Sequence, residues 1–192
     1  ALKPGLLTAE GVNCCGEIHV RGVDIDAAAT LPPKGWLLSQ ATCPRLKQRP
    51  RNSHKGLFGN VGILGGATGM VGAALLAGSA ALKLGAGRTY TALLAKNAPL
   101  VDPLQPELML RSPKELLELD YLNCLAVGPG LGQSNEAQHF LAAALKTKLP
   151  LVLDADALNL LGADNKLQLL LKRRTAATIL TPHPAEAGRL LN

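Results

Sequence analysis

The sequence has 192 residues, of which 47% are hydrophobic and 18% charged, a composition that excludes a solvated disordered chain and predicts a packed globular domain. Aromatic residues make up only 3%, so we expect an aliphatic core. The net charge of +6 leaves nucleic acid, a membrane surface or phosphorylated small molecules open as partners.

The first segment, residues 1–26, alternates short apolar runs with glycines. This pattern predicts one or two short strands joined by turns, which are too few to bury a core by themselves. Because the sequence opens on Ala1 rather than methionine, we expect it to be a processed or excised piece of a longer protein.

Residues 27–53 are rich in proline and basic side chains and predict an exposed linker with a domain boundary inside it. Much of the positive charge lies here and just beyond, in Arg45, Lys47, Arg49, Arg51 and Lys55. Only Phe58 is near this stretch as a ring for base stacking, so a connector is favoured over a nucleic-acid arm.

From residue 54 to 192, short apolar runs alternate with helical segments. The predicted strands are 60–65, 88–94, 122–127, 149–153 and 177–180. The predicted helices are 70–84, 113–119, 134–146, 157–161 and 166–173. This alternation implies parallel pairing with right-handed crossovers, so ligands should bind beyond the carboxyl ends of the strands.

Two glycine-rich loops follow predicted strands. After the first strand, Gly66, Gly69 and Gly72 let a backbone turn expose N–H groups to an anion at a helix start. The loop has neither the Gly-Lys-Ser/Thr of a P-loop nor the order of a dinucleotide fingerprint, and glycines needed only for helix packing are the alternative. After the third strand, residues 128–132 contain three glycines where a plain turn needs one, which suggests a ligand close to the backbone.

Polar residues follow the fourth and fifth strands. Asp154 and Asp156 put two carboxylates at the predicted ligand face, where they could bind Mg²⁺, orient a hydroxyl or act as acid and base. Asp156 could equally serve only as a helix N-cap. His183 stands between two prolines that would present its imidazole to a phosphate or ribose hydroxyl, and Glu186 falls in the first turn of a following helix.

The four cysteines have neither C-x-x-C spacing nor a histidine pattern beside them, so the sequence predicts no metal site and no disulfide framework. A reduced cytoplasmic protein is the simplest host. No signal peptide or membrane span is predicted, because Gly72, Gly78 and Lys83 interrupt the apolar stretch 70–84.

Six short motifs occur in order along the second part of the sequence. They are His54-Lys-Gly56, Gly65-Gly-Ala-Thr-Gly-Met-Val-Gly-Ala-Ala74, Gly85-Ala-Gly87, Gly128-Pro-Gly-Leu-Gly132, Asp154-Ala-Asp-Ala-Leu158 and Thr181-Pro-His-Pro184. Together they closely resemble the ADP/ATP-dependent NAD(P)H-hydrate dehydratases. The resemblance implies an α/β, ribokinase-like fold, with a mostly parallel sheet flanked by helices and incomplete at its C-terminus.

Residues 1–26, particularly Leu2-Lys-Pro-Gly5 and Cys15-Gly-Glu-Ile18, are similar to the closing strands of the NAD(P)H-hydrate epimerase domain of bifunctional members. The resemblance therefore implies three parts. They are the tail of an epimerase domain (1–26), a linker (27–53) and the N-terminal part of a dehydratase domain (54–192).

The resemblance implies repair of hydrated NADH or NADPH (NADHX or NADPHX). The family uses a nucleotide to convert the ring hydroxyl into a phosphate leaving group, and elimination then restores the reduced cofactor; the parent protein would also epimerise the substrate. The implied co-substrate is ADP or ATP with Mg²⁺, and the implied assembly is a homo-oligomer. Neither nucleic acid nor a membrane is an expected partner.

The resemblance also implies roles for single residues. Those implied for substrate binding are Ala73, Gly130, His183 and Asp154. Those implied for the nucleotide or phosphate loop are Gly66, Gly69, Gly72 and Gly128. No catalytic residue is assigned, because the family's catalytic aspartate, in a Gly-Thr-Gly-Asp motif, would lie beyond Asn192, and Ala185 replaces an expected glycine. We therefore expect this chain by itself to be weak or inactive and a longer parent to be active.

Two other functions stay open. A small-molecule kinase of the same fold, such as a vitamin-precursor kinase, shares the phosphoryl-transfer step. A nucleotide-binding module without catalysis would account for the missing aspartate motif. The His54-Lys-Gly56 start and the Thr181-Pro-His-Pro184 loop favour the dehydratase.

Overall fold

A computed structural model describes residues 3–21, 24, 35–40, 42–43 and 48–191. It contains two compact units, residues 1–49 and 50–192. Much of the predicted linker, including Arg45 and Lys47, lies outside the described residues.

The first unit contains a 3₁₀ turn (Pro4–Leu6) and the single-turn helix α1 (Gly11–Cys14). The prediction of short strands in this segment is wrong for residues 3–21, where the structure has none. Backbone groups here pair locally, as between Leu7 N and Pro4 O at 2.9 Å. Local pairing prevails because a strand needs a neighbouring strand to receive its hydrogen bonds, and no other segment described in this unit supplies one.

The second unit is built on a six-stranded sheet in the order β3-β2-β1-β4-β5-β6. The strands are β1 (Asn60–Gly65), β2 (Arg88–Leu93), β3 (Met109–Arg111), β4 (Cys124–Val127), β5 (Leu151–Leu153) and β6 (Thr178–Leu180). All neighbouring pairs are parallel, which confirms the predicted fold class. The sequence analysis does not predict β3, because three residues are too few to show a period.

Helices connect the strands and cover the sheet. They are α2 (Val71–Lys83), α3 (Pro113–Leu117), α4 (Asn135–Lys146), α5 (Ala155–Ala163), α6 (Asn165–Lys172) and α7 (Pro184–Leu191), and a 3₁₀ turn (Lys55–Phe58) precedes β1. The predicted cap of α4 is confirmed, since the Ser134 hydroxyl accepts a hydrogen bond from Ala137 N at 3.1 Å. No helix in the described part of the chain is long and apolar enough to cross a membrane.

The core lies between the sheet and its helices and is aliphatic, as the composition predicts. Among the buried residues that the structure describes, Tyr90 is the one aromatic ring. The largest fully buried apolar side chains are Leu64, Leu116, Leu125, Leu131, Leu141, Leu151, Leu153, Leu158, Leu161 and Val127. This packing fixes the carboxyl ends of the strands, where the polar and glycine-rich loops emerge.

Candidate functional site

The direction in which the chain adds strands to the sheet reverses between β1 and β4. The chain passes from β1 to β2 and β3 on one side, then returns to place β4 against the other side of β1. Open α/β sheets bind their ligands at such a point, outside the carboxyl ends of the strands. We call this place, bordered by residues 66–72 and 128–132, the crevice. The two glycine-rich loops predicted from the sequence are the loops that border this crevice.

The two loops are joined directly by backbone hydrogen bonds. Gly66 N donates to Pro129 O at 3.1 Å, and Ala67 N donates to Gly130 O at 2.6 Å. The N–H of Gly66 is therefore engaged within the protein, whereas the sequence analysis predicts an anion for it. Donors for an anion are better supplied by the first turn of α2, which begins at Val71 without a side-chain cap.

Most of the site glycines are explained by close packing of these loops. A Cβ on Gly128 would overlap the carbonyl oxygen of Asp154, and one on Gly130 would lie 2.5 Å from Met70 O. Both residues, like Gly66, have positive φ. Close packing and positive φ are thus sufficient to explain why Gly66, Gly128 and Gly130 are glycines.

Gly72 is different. No atom lies within 4 Å of the position of its Cβ, and its φ is not in the left-handed region. Packing does not require glycine there, so the absence of a side chain in the first turn of α2 favours the approach of a ligand. Gly69 also has open space, but its φ of +83° requires glycine by itself.

Two of the residues implied for substrate binding are brought together. Ala73 is exposed on α2, and its Cβ is 3.2 Å from the position that a Cβ on Gly130 would occupy. They bring the start of α2 and the loop after β4 into contact.

The two predicted carboxylates do not converge on one point. Asp154 Oδ1 accepts a hydrogen bond from Thr181 Oγ1 at 2.9 Å, while Asp156 Oδ2 accepts one from Gly132 N at 2.8 Å. Each carboxylate therefore holds a neighbouring loop. The suggestion that Asp156 is an N-cap is wrong: Asp154 occupies the cap position, although its side chain makes no capping bond, and Asp156 lies in the first turn.

The backbone between the carboxylates explains why they separate. Ala155 has φ +46°, a left-handed conformation that is rare for a residue with a side chain. The turn directs one carboxylate toward the loop after β6 and the other toward the loop after β4. Such local strain is concentrated at functional sites in proteins.

His183 is held within its own turn. Its Nδ1 accepts from Ala185 N at 3.1 Å, and its Nε2 lies 3.2 Å from Glu186 Oε1. The sequence predicts that this imidazole faces a ligand, but both nitrogens are engaged locally, and the ring remains 58% exposed. Glu186 is only 5% exposed and also accepts from His183 N at 3.0 Å, a positioning role that the sequence analysis misses. The His-x-x-Glu spacing across a helix start is the signal that could have found it.

No group of three or more His, Cys, Asp or Glu side chains that could hold a metal ion occurs in the described residues. The cysteines Cys14, Cys15, Cys43 and Cys124 are all free thiols. Half-burial raises the pKa of the Cys124 thiol, which keeps it protonated and unreactive at neutral pH.

Comparison with known proteins identifies this architecture. A model of the NAD(P)H-hydrate dehydratase family matches residues 61–192. The ADP-dependent (S)-NAD(P)H-hydrate dehydratase of Neisseria meningitidis is 44% identical over 148 residues, which are 76% of this chain and 50% of that protein. The bifunctional NAD(P)H-hydrate repair enzyme Nnr of Coxiella burnetii is 38% identical over 198 residues, which are 100% of this chain and 39% of that protein. The chain thus spans half or less of these relatives.

Comparison with solved structures supports the same family assignment. A ribokinase-like superfamily protein from Enterococcus faecalis has a TM-score of 0.64 at 29% identity, covering 74% of this chain and 51% of its own. The ADP/ATP-dependent NAD(P)H-hydrate dehydratase of Bacillus subtilis, co-crystallised with ATP and Mg²⁺, has a TM-score of 0.59 at 34% identity, with 76% and 51% covered. By its parallel sheet, its motifs and these matches, the chain belongs to the NAD(P)H-hydrate dehydratase family.

Proposed function

We propose that a protein carrying this chain dehydrates hydrated NADH or NADPH to the reduced cofactor, with ADP or ATP as phosphoryl donor. The observation that carries the proposal is the crevice between β1 and β4, where an uncapped helix start and the small residues Gly72 and Ala73 border the Gly128–Gly132 loop. The names of the N. meningitidis and B. subtilis relatives support the same reaction. They favour it over the vitamin-precursor kinase and over a module without catalysis.

The residues of this chain would bind and orient the substrate. In the first turn of α2, the uncapped N–H groups of Val71 and Gly72 and the positive end of the helix dipole favour an anionic group, such as the pyrophosphate of a dinucleotide, while Ala73 N donates to Met70 O. The exposed Ala73 and the open space at Gly72 would let the substrate approach the backbone of α2 closely. The bond from Asp156 to Gly132 N keeps the loop in the shape that makes this approach available.

The nucleotide would supply the chemistry of the leaving group by transferring a phosphoryl group to the ring hydroxyl. Mg²⁺ fits this site as an ion held mainly by nucleotide phosphates and water, since the described residues offer no cluster of three ligands. Asp154 is the carboxylate nearest the strand ends that could add one oxygen, and its Oδ1 already accepts from Thr181.

We also propose a division of the chain into the tail of an epimerase domain (1–26), a linker (27–53) and part of a dehydratase domain (54–192). It is supported by the coverage of the relatives. The C. burnetii bifunctional enzyme aligns over the whole chain, whereas the N. meningitidis dehydratase aligns over 76% of it. A homo-oligomer and a cytoplasmic location remain predictions.

The test is recovery of absorbance at 340 nm when NADHX and ADP or ATP are added to the protein that carries this chain. In that protein we expect Gly72→Leu to abolish the recovery while leaving the thermal unfolding midpoint unchanged, because the site of its side chain is open. Gly188→Leu is the matched control, since Gly188 is also an exposed helical glycine without neighbours within 4 Å.

Two outcomes would overturn the proposal. One is full recovery by the Gly72→Leu protein, which would mean that the first turn of α2 is not part of the site. The other is no recovery by the unmodified protein together with ATP-dependent phosphorylation of a vitamin precursor, which would assign the fold to a kinase.

A further inference from the structure

A cavity of about 520 Å³ lies at the carboxyl ends of β2 and β3. Its lining includes Leu93, Ala95, Lys96, Leu110, Arg111 and Ser112. The volume falls within the range of small-molecule sites, roughly 300–1,000 Å³. The cavity lies on the same edge of the sheet as the crevice but on the β2 and β3 side of it.

The cavity shares a wall with the glycine-rich loop after β1. Ala95 N donates to Gly66 O at 3.0 Å, and Leu94 N donates to Gly65 O at 3.0 Å. The Leu93 side chain, which lines the cavity, reaches within 2.5 Å of the position of a Cβ on Gly66. The cavity and the loop that leads into α2 are therefore direct neighbours in the structure.

Two cations and one carboxylate line the cavity. Lys96 is exposed in the loop after β2, and Arg111 ends β3 with its guanidinium 5.9 Å from the centre of the Tyr90 ring and Nη1 2.8 Å from Leu110 O. These contacts give the Arg111 side chain a defined position. The carboxylate is that of Glu115, whose Oε2 accepts from Ser112 N and Ser112 Oγ, both at 2.9 Å. The charge that remains for a ligand is positive.

The opposite side of the crevice is acidic. Asp154 and Asp156, at the start of α5, carry carboxylates that would repel an additional phosphate, whereas Glu186 is buried beside His183. A dinucleotide with its pyrophosphate at the start of α2 must place its adenosine half on one side or the other. The charges favour the side of Lys96 and Arg111 for any phosphate on that half.

We propose that this cavity binds the 2′-phosphate on the adenosine ribose of NADPHX, so that the site prefers NADPHX to NADHX. The inference rests on the proposed function. Arginine and lysine near a ribose suit a 2′-phosphate, and the one carboxylate of the lining, that of Glu115, already accepts two hydrogen bonds from Ser112 at Oε2.

The test is calorimetric binding of NADP⁺ and NAD⁺, which differ only in the 2′-phosphate, to the full chain. NADP⁺ is expected to bind at least about tenfold more tightly, because a hydrogen bond to a charged group contributes about that factor. Lys96→Gln and Arg111→Gln should each weaken the binding of NADP⁺ and leave the affinity for NAD⁺ unchanged. Lys114→Gln is the matched control, since Lys114 is a neighbouring exposed cation outside the cavity lining.

Equal binding of the two ligands by the unmodified chain overturns the inference, and so does an equal loss for both ligands in Lys96→Gln. Arg111→Lys guards against misfolding, because it keeps the charge and is expected to retain a preference for NADP⁺. The proposed function is tested separately by turnover of NADHX, which has no 2′-phosphate. A protein that turns over NADHX but shows no preference refutes the cavity assignment alone.

Discussion

At the scale of single residues, Asp156 fixes the shape of one border of the crevice. Its carboxylate accepts a hydrogen bond from Gly132 N at 2.8 Å, and the side chain is half-buried. We expect Asp156→Ala to lower the free energy of unfolding by about 1–2 kcal/mol, because it leaves the Gly132 N–H without its partner. Amide hydrogen exchange at Gly132 should accelerate in the same variant.

Asp156→Asn is the control for this prediction, since its amide oxygen can accept the same hydrogen bond. Both unfolding in urea and exchange at Gly132 should then stay close to those of the unmodified chain. Equal effects of the two substitutions would show that the negative charge, rather than the hydrogen bond, is what matters at this position.

The sequence predicts where individual polar side chains lie along the chain, but it does not predict their orientations. The order of residues predicts that Asp154, Asp156 and His183 follow the carboxyl ends of two strands, and in the structure they follow β5 and β6. Their orientation depends on the φ of +46° at Ala155 and on the bonds between His183 and Glu186, which no periodic pattern encodes. The contrast between Gly72 and Gly128 likewise depends on neighbours that are distant in sequence.

At the scale of secondary-structure elements, a capping box stabilises the start of α3. The Ser112 hydroxyl accepts from Glu115 N, while the Glu115 carboxylate accepts from Ser112 N. These hydrogen bonds lower the pKa of the Glu115 carboxyl below its ordinary value, with the backbone N–H of Ser112 as the largest cause. Because the pKa is lowered in the folded state, the ionised group stabilises the fold above its unfolded pKa.

This stabilisation is lost as the pH falls through the lowered pKa. We therefore expect the free energy of unfolding of the unmodified chain to exceed that of Glu115→Gln at neutral pH. The difference should shrink as the solution is acidified from pH 5 to below the lowered pKa, in urea denaturation series. Glu118→Gln, at the C-cap of the same helix and outside the capping box, should show no such change. A constant difference for Glu115→Gln would contradict the account.

Arg174 ties the end of α4 to the sheet. Its guanidinium donates to the carbonyl oxygens of Leu145, Thr147 and Leu149 at 2.6, 2.7 and 2.5 Å. These carbonyls lie at the C-terminus of α4 and in the segment that leads to β5, where a positive charge is favourable. Arg174→Met should lower the free energy of unfolding by about 2–3 kcal/mol, because three partly buried carbonyl acceptors lose a charged donor.

Arg173→Met is the matched control, since Arg173 is the exposed neighbour in sequence. Chemical denaturation of both variants measures the difference. A loss of the same size in the two variants would show that the contacts of Arg174 add no stability of their own.

The helices and most strands of the second unit follow from periodicity and capping, because each has a local signal. Two elements differ from what the sequence predicts, because tertiary contacts determine them. Strand β3 exists because Met109–Arg111 pairs with β2, and α5 begins at Ala155 rather than at residue 157 because the chain turns directly at the end of β5. The strand prediction fails for residues 3–21 because the described residues of this unit supply no partner strand.

The strand order locates the site at the scale of the whole molecule. Motifs alone predict parallel strands and loops at one edge, but they do not specify that β1 lies against β4. That neighbour relation brings the Gly66–Met70 and Gly128–Gly132 segments into contact through two backbone hydrogen bonds. The crevice is therefore a property of the topology, and no single motif contains it.

Amide chemical-shift mapping of the ¹⁵N-labelled chain during a titration with NADHX tests the central claim most directly. We expect the largest shifts at Gly69–Ala73 and Gly130–Gly132, on the two borders of the crevice. They should be absent in the Gly72→Leu variant, whose new side chain fills the approach. Shifts confined to residues away from the β1 and β4 loops, or no shifts at all, would contradict the assignment of this crevice as the substrate site.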